Sequence, residues 1–369
     1  MTSKIQFIGK FFDNHSLAIV NRNIALNLKD YVDLSIIPLD APNSEFKVDG
    51  DQIEQLLDLA KPTDTIPDVQ LRHSYPPIWK WPDSPTTKIA YIQPWEFMAI
   101  PSEWQYKFDT FADAIISPST WTTEVYKNSG INPYKLYTVA NGYNPDIFCD
   151  KGKTTDEVKI LYVGCSQFRK GIDVLLKMWA MATKKNMNIS LTIKDTPQVY
   201  GKSNLLEEVT RLQYKTGCAK ITYDDSSKSE QEMAEMYQDH HILVHPYRGE
   251  GFGMHIQEAM ACGCVPVVTA NGATEDFVTD YKIASTTRVV NMRDIFALKA
   301  EDSMSMMGSH KWVLEPDINN FATVLNQVIN NINTINVDTS KLKTWSVVAK
   351  DYEAVLNQVA ARNTTQRLK

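Results

Sequence analysis

Short apolar runs recur along the chain, and between them apolar positions return at helical spacing. The second half alternates most regularly. KILYVG is followed by the helical GIDVLLKMWAMATKK, ISLTIK by SNLLEEVTRLQYKTG, AKITYD by SEQEMAEMYQD, HILVHP by MHIQEAMACG, and VPVVT by ATEDFVTD. Strands and helices in this order predict a parallel, Rossmann-like sheet. Runs such as ILYV and ILV are apolar throughout, as strands buried on both faces require. The first half reads the same way, with strands in KIQFIG, VDLSIIPL, DVQLRH, KIAYIQPWEF, DAIISPS and LYTVAN. Its helices are LAIVNRNIALNLKDY, DQIEQLLDLAK, FMAIPSEWQYKFDTF and TWTTEVYKNSG. Ser16 is a candidate N-cap for the first of these, and Asp51 in the DGD turn for the second.

The polar stretch NGYNPDIFCDKGKTTDE after LYTVAN reads as a linker. It places a boundary near residue 152, with domains at 1–152 and 153–340 and a C-terminal helical segment at 341–369. A chain of 369 residues is long for one core and natural for two. After Tyr281 the pattern weakens into a Met-rich excursion, then resumes in the helices FATVLNQVINNI and TWSVVAKDYEAVLNQVAA.

Composition narrows the function. Apolar residues make up 43% and charged residues 22%, which argues against extensive disorder. No apolar run reaches the ~20 residues of a membrane span, and MTSKIQFIGKFF lacks the apolar core of a secretory signal. Cytoplasm is the expectation. The five cysteines are odd in number and contain no CxxC pair. That argues against a disulfide framework or a zinc site, and small thiols at Cys262 and Cys264 suit a buried helix-to-strand corner. Of the net charge of −6, the first 150 residues carry 12 Lys and Arg against 19 Asp and Glu. Nucleic acid is thereby an unsuitable partner.

The chemistry concentrates in HPYRGEGFGMHIQEAMACGCVPVVT, residues 245–269. Gly251 and Gly253 permit a tight turn and close approach of a ligand to the backbone, and the helix that follows presents free N–H groups. Such a turn suits a phosphate. Glu250 and Glu258 would repel one, unless the phosphate carries a hydroxyl-rich group whose hydrogens the carboxylates accept. In GCSQFRKG, Arg169 and Lys170 sit just before a helix, where cations oppose the helix dipole unless an anion lies between them and the amides.

The segment GEGFGMHIQEAMACGCVPVVT resembles the E-x7-E segment of retaining nucleotide-sugar glycosyltransferases of family four, within glycosyltransferase group 1. KILYVGCSQFRKGIDVLLKMWA, ISPSTWTTEVYKNSG and VANGYNPDIF extend the likeness over most of residues 110 to 280. The resemblance implies an α/β GT-B fold, in which two Rossmann-like domains face a cleft and the last helix returns to the first domain. The first domain would serve the acceptor and the second the donor. It further implies metal-independent transfer of a sugar from a nucleoside diphosphate, with no cofactor, to a glycan or glycolipid hydroxyl. Lys170 takes the family's diphosphate-contacting position. Glu250 would hold the donor sugar and Glu258 the ribose, with Arg169, Gly251, Phe252 and Gly253 around the donor. The loop after the first strand would bring Lys10, His15 and Ser16 toward the diphosphate.

His73 aligns with a histidine near the transferred sugar, and Glu96 lies at a neighbouring strand end. Trp79 and Trp81, in PPIWKWPDSP, either stack on an acceptor sugar or pack over the first core. The family's arginine after the strand-end glycine is replaced by Cys165, leaving Arg169 or Arg248 to compensate phosphate charge. Many relatives dock on anionic membranes through a basic acceptor domain. A peripheral membrane position is compatible with this chain, but its acidic first half does not indicate one. The rival reading is a catalytically weak nucleotide-sugar-binding or partner subunit. A GT-B phosphorylase would be much longer.

Overall fold

A computed structural model describes residues 2–43, 48–153, 155–197, 204–291 and 310–362. They form two compact units, one of residues 1–95, 100–142 and 343–369, the other of residues 96–99 and 143–342. Each unit is built on its own parallel six-stranded sheet.

In the first unit the strands are β1 (Lys4–Gly9), β2 (Asp33–Pro38), β3 (Val69–His73), β4 (Lys88–Ile92), β5 (Ala114–Ser117) and β6 (Leu136–Thr138), in the order β2-β1-β3-β4-β5-β6. The helices are α1 (Ser16–Leu28), α2 (Gly50–Leu59), α3 (Ser102–Phe111) and α4 (Thr120–Asn128). All five residues of β4 are buried, as the apolar run at this place in the sequence predicts. The N-caps differ from expectation by a residue or two. His15 caps α1, its Nδ1 accepting from Leu17 N, and Ser16 is the first helical residue. Asp49 rather than Asp51 caps α2, accepting from the N–H groups of Asp51 and Gln52, because a cap must stand outside the turn whose amides it satisfies.

The second unit contains β7 (Val158–Val163), α5 (Ile172–Ala182), β8 (Ile189–Lys194), α6 (Leu205–Thr216), β9 (Lys220–Asp224), α7 (Glu230–Asp239), β10 (Ile242–His245), α8 (Met254–Ala261), β11 (Val265–Thr269) and β12 (Lys282–Ile283). Read from β9, the order β9-β8-β7-β10-β11-β12 reverses direction between β7 and β10. At such a switch point ligands bind in the crevice beyond the carboxyl ends of the strands. One continuous core of Ile160, Leu175, Trp179, Leu191, Val244 and Val267 fixes the helices to the sheet.

Several features were not foreseen. ATEDFVTD forms only a 3-10 turn at Ala273–Asp276. Strands β13 (Ser285–Asn291) and β14 (His310–Pro316) pair antiparallel as a separate ribbon; the methionines between them fall outside the described residues. The first unit ends at Gly142, not near residue 152. The expected linker is bound instead to the second unit. Lys153 Nζ donates to the carbonyls of Tyr237, Gln238 and Cys262, and Gln238 donates to Cys149 O.

After α9 (Ile318–Asn331) comes the last helix, α10 (Trp345–Ala360), which joins the first unit. It buries Trp345, Val348, Tyr352 and Leu356, and just beyond it Arg362 donates to Tyr134 O at 2.8 Å. Gly142 is needed for this return, since a Cβ there would lie 2.6 Å from Trp345 N.

Candidate functional site

Because β7 and β10 are neighbours, the loops leaving their carboxyl ends meet. Residues 164–171 follow β7 and residues 246–253 follow β10. Two backbone bonds join them, Arg248 N and Gly249 N both donating to Arg169 O, at 2.6 and 3.2 Å. The approach depends on glycine. Gly171 has φ +71°, and a Cβ there would fall 1.8 Å from Pro246 O. At Gly249 it would fall 2.2 Å from the carbonyl of Glu96.

This contact brings Lys170 and Glu250, far apart in sequence, into an ion pair through Nζ and Oε2. Each side chain is only about a tenth exposed. Arg169 Nη1 stands 3.9 Å from the same carboxylate oxygen, and its Nη2 lies 3.6 Å from Glu96 Oε1. Burial by itself would raise the pKa of Glu250. The charges of Lys170 and Arg169 and the imidazole of His245 outweigh it and hold the carboxyl well below the usual range. The ionised carboxylate therefore persists at neutral pH, and Glu96 stands beside this charged group through Arg169.

Both helices that begin here are capped by glycine. Gly253, at φ +97°, precedes α8, and Gly171 precedes α5; neither helix start has a side-chain cap. No acidic residue lies in the first turn of α8, so the positive end of its dipole is unopposed from within. Such an end accepts an anion readily. Phe252 turns its ring away into contact with Phe277, centroids 5.1 Å apart, and is buried. Only its backbone can serve a ligand.

Glu258 lies on α8, one helical turn beyond the cap region, with Tyr237 Oη donating to its Oε2 at 3.3 Å. Burial, reinforced by the charge of Glu230, pushes its pKa up to about 8. The two carboxylates of the segment thus differ in kind, Glu250 being ionised by its cations and Glu258 held neutral by its surroundings.

Arg248 does not compensate phosphate charge. It is buried, makes a two-point contact with Asp173 at 2.7 and 2.8 Å and another with Glu315 at 2.9 Å, and lies over the ring of Phe168 at 4.0 Å. These bonds tie the loop after β10 to α5 and β14. Cys165, which follows the strand-end Gly164, is buried. Sequence reasoning missed the role of Arg248, although Asp173, an acid in the first turn of a helix, was a legible partner.

In the first unit, His73 ends β3 and is buried. Asn21 Nδ2 donates to the carbonyls of Lys10 and His73, so its Oδ1 faces His73 Nδ1 at 2.6 Å. Nδ1 therefore carries the proton, and Nε2 is left as an acceptor with no protein partner among the described residues. Burial, with a smaller contribution from His15, lowers the His73 pKa to about 3. Ser16 is exposed. Trp79 packs among Tyr91, Trp104, Phe108 and Phe111, with ring centroids 4.8 to 6.3 Å away. That is the core reading, and of the two indoles it is Trp81 that is open to solvent, 45% exposed.

Two Rossmann-like domains, with the final helix returning to the first, define the GT-B class of α/β protein. Solved structures share this fold along nearly the whole chain. Sucrose-phosphate synthase from Thermosynechococcus elongatus is 14% identical with a TM-score of 0.66, covering 97% of this chain and 99% of its own. Anabaena Alr3699/HepE, solved in complex with UDP and glucose, is 13% identical with a TM-score of 0.56, covering 99% and 97%. At such identities the likeness establishes the fold.

Residues 144–300, most of the second unit, match the family described as Glycosyl transferases group 1. A curated relative, the GDP-mannose:cellobiosyl-diphosphopolyprenol alpha-mannosyltransferase of Xanthomonas oryzae pv. oryzae, is 24% identical over 139 residues, 38% of this chain. The match spans 36% of that relative's length. No helix among the described residues is long and apolar enough to cross a membrane.

Proposed function

We propose that the protein is a glycosyltransferase that moves a sugar from a nucleoside-diphosphate sugar to an acceptor hydroxyl, with retention at the anomeric carbon. The observation that carries this reading is the Lys170–Glu250 pair, set beside two glycine-capped helix starts at a strand switch point. When a donor binds, its diphosphate takes over Lys170 and the N–H groups of α8, and its sugar hydroxyls take over Glu250. Charge then develops on the leaving diphosphate against groups already in place, which is where electrostatic catalysis is strongest. The leaving phosphate accepts the acceptor's proton on the same face, without a covalent enzyme intermediate. Glu258 binds the ribose. His73 Nε2 acts as an acceptor for a sugar hydroxyl, in keeping with the tautomer fixed by Asn21.

The donor nucleotide is UDP or GDP by analogy with the relatives named, and the acceptor is a carbohydrate or glycolipid. A thermal-shift screen over UDP-, GDP-, ADP- and TDP-sugars tests the donor, since a ligand at 100 times its Kd adds about 2.7 kcal/mol. Slow release of free sugar from the donor that binds, undiminished by EDTA, supports a metal-independent enzyme. Cys165 in place of the family's arginine favours a second reading, a nucleotide-sugar-binding subunit. Tight donor binding with no hydrolysis and no transfer would select it.

A further inference from the structure

His245 ends β10 with its imidazole fully buried and neither ring nitrogen hydrogen-bonded among the described residues. His255, in the first turn of α8, meets it edge-on with ring centroids 4.3 Å apart, and its Nε2 is also buried without a partner among the described residues. Between them in sequence, Glu250 brings Oε2 to 3.7 Å from His245 Nε2. One donor atom from each of the three residues lies within 4.8 Å of the other two. A buried polar atom left unpaired costs about 1–3 kcal/mol, so this corner has something to gain from a shared partner.

We propose that His245, Glu250 and His255 bind a borderline divalent ion of the zinc class, and that its binding withdraws Glu250 from Lys170. Two imidazoles and a carboxylate suit Zn²⁺, Co²⁺ or Ni²⁺ rather than Mg²⁺ or Ca²⁺. Bonds of about 2.0–2.2 Å place two donors on one ion ~3.4 Å apart, a modest closing of the present cluster. A sugar is the poorer occupant, because His245 has no exposed surface to offer a ring. The ion must displace the ammonium of Lys170 from Oε2 and tolerate Arg169 nearby, which makes it an inhibitor held at modest affinity rather than a resident cofactor.

Metal-stripped full-length protein titrated with Co²⁺ tests the site directly. Wild type is expected to take up one equivalent with the visible absorption of a low-coordinate site and two paramagnetically shifted imidazole N–H resonances. His255→Ala and Glu250→Gln are each expected to weaken that uptake by about 100-fold or more, at least the loss seen when only an outer partner of a metal ligand is removed. Uptake unchanged by both variants, absence of uptake in wild type, or shifted resonances from other histidines would overturn the site, and the resonance count requires no variant to fold. The consequence for Lys170 rests on the donor-site reading. Zn²⁺ is expected to lower donor turnover while leaving UDP affinity undiminished, since Lys170 is released to the diphosphate. One-equivalent uptake with turnover unchanged would overturn the withdrawal of Glu250, whereas a metal-free protein with no turnover on any donor would overturn the enzyme reading and leave the metal site standing.

Discussion

The first strand-to-helix turn of each sheet solves the same problem in opposite ways. After β1, the amides of Phe11, Phe12 and Asp13 all donate to the carboxylate of Asp40, at 2.8 to 3.0 Å. Arg22 Nη1 binds the carbonyls of Phe11 and Asp13 from the other side, and His15 caps the helix. The anion there is a carboxylate from the loop after β2, bonded to the turn's backbone amides. After β7, the helix starts from a bare glycine, and the nearby cations Lys170 and Arg169 face a carboxylate from another loop. Side chains paired with each other can exchange partners without undoing a turn, while a carboxylate bonded to the turn's backbone amides cannot. The comparison teaches that charge alone does not mark a ligand site; what matters is whether the fold already uses it.

Arg248 gives the largest expected effect, because it sits among the exchangeable charges of the second unit yet is fully committed to the fold. Arg248→Met removes two carboxylate forks and the stacking on Phe168. Breaking a buried ion pair costs about 3–5 kcal/mol; Arg248 is buried but Asp173 and Glu315 are partly exposed, so the loss should lie at the low end of that range, read as a lower midpoint in urea. Arg248→Lys should not restore it, since an ammonium cannot satisfy two planar carboxylates at once. A stable Arg248→Met protein that had lost only donor affinity would show that Arg248 is a ligand group after all.

Lys170→Ala comes next and should behave inversely. We expect kcat to fall about 100-fold, close to 2.7 kcal/mol of lost transition-state stabilisation; Arg169 and His245 remain beside Glu250, so the accompanying loss of stability should be smaller than that of Arg248→Met. A normal kcat would break the distinction between the two cations. Asp40→Ala probes the other side of the comparison: hydrogen bonds to a charged acceptor contribute about 1.5–3 kcal/mol, so stability should fall by about 2 kcal/mol. Donor affinity of the folded protein should be unchanged. If added phosphate or UDP selectively rescued Asp40→Ala, the β1 turn would itself be an anion site.

Much of this was legible in the chain. Continuous runs such as ILYV and the periodic helices between them determine both sheets, because burial on two faces leaves little choice of pattern. The glycines and Glu250 marked the loop that carries the site. Lys170 was placed by resemblance, and its pairing with Glu250 depends on the adjacency of β7 and β10, a topological fact that local periodicity does not encode. Arg248 and Trp79 were each left between two readings for a related reason: a cation or an indole between glycines or prolines gives no sign of its partner until a distant segment arrives, here Glu315 and Phe108. The ribbon of β13 and β14 was missed because STTRVVN and HKWVLEP are short and flank a stretch without clear period.

The smallest effect concerns Glu258 and separates the two carboxylates of the segment by pH. Its folded-state pKa of about 8 lies above the ordinary glutamate value of 4.5 that holds in an unfolded chain. Between these values the folded protein holds a proton that the unfolded chain releases, so deprotonation favours unfolding. The stabilisation is complete below about pH 4.5, declines as the pH rises, and is lost above about pH 8. Glu258→Gln keeps the shape and cannot ionise, which removes this dependence. The difference in Tm, wild type minus Glu258→Gln, should therefore fall steadily between pH 5 and pH 9. Glu250, with its pKa held low by Lys170, cannot produce a trend of that sign in this range. A difference that grew with pH would mean that Glu258 is ionised in the folded protein, and its contact with Tyr237 would have to be read as a charged hydrogen bond.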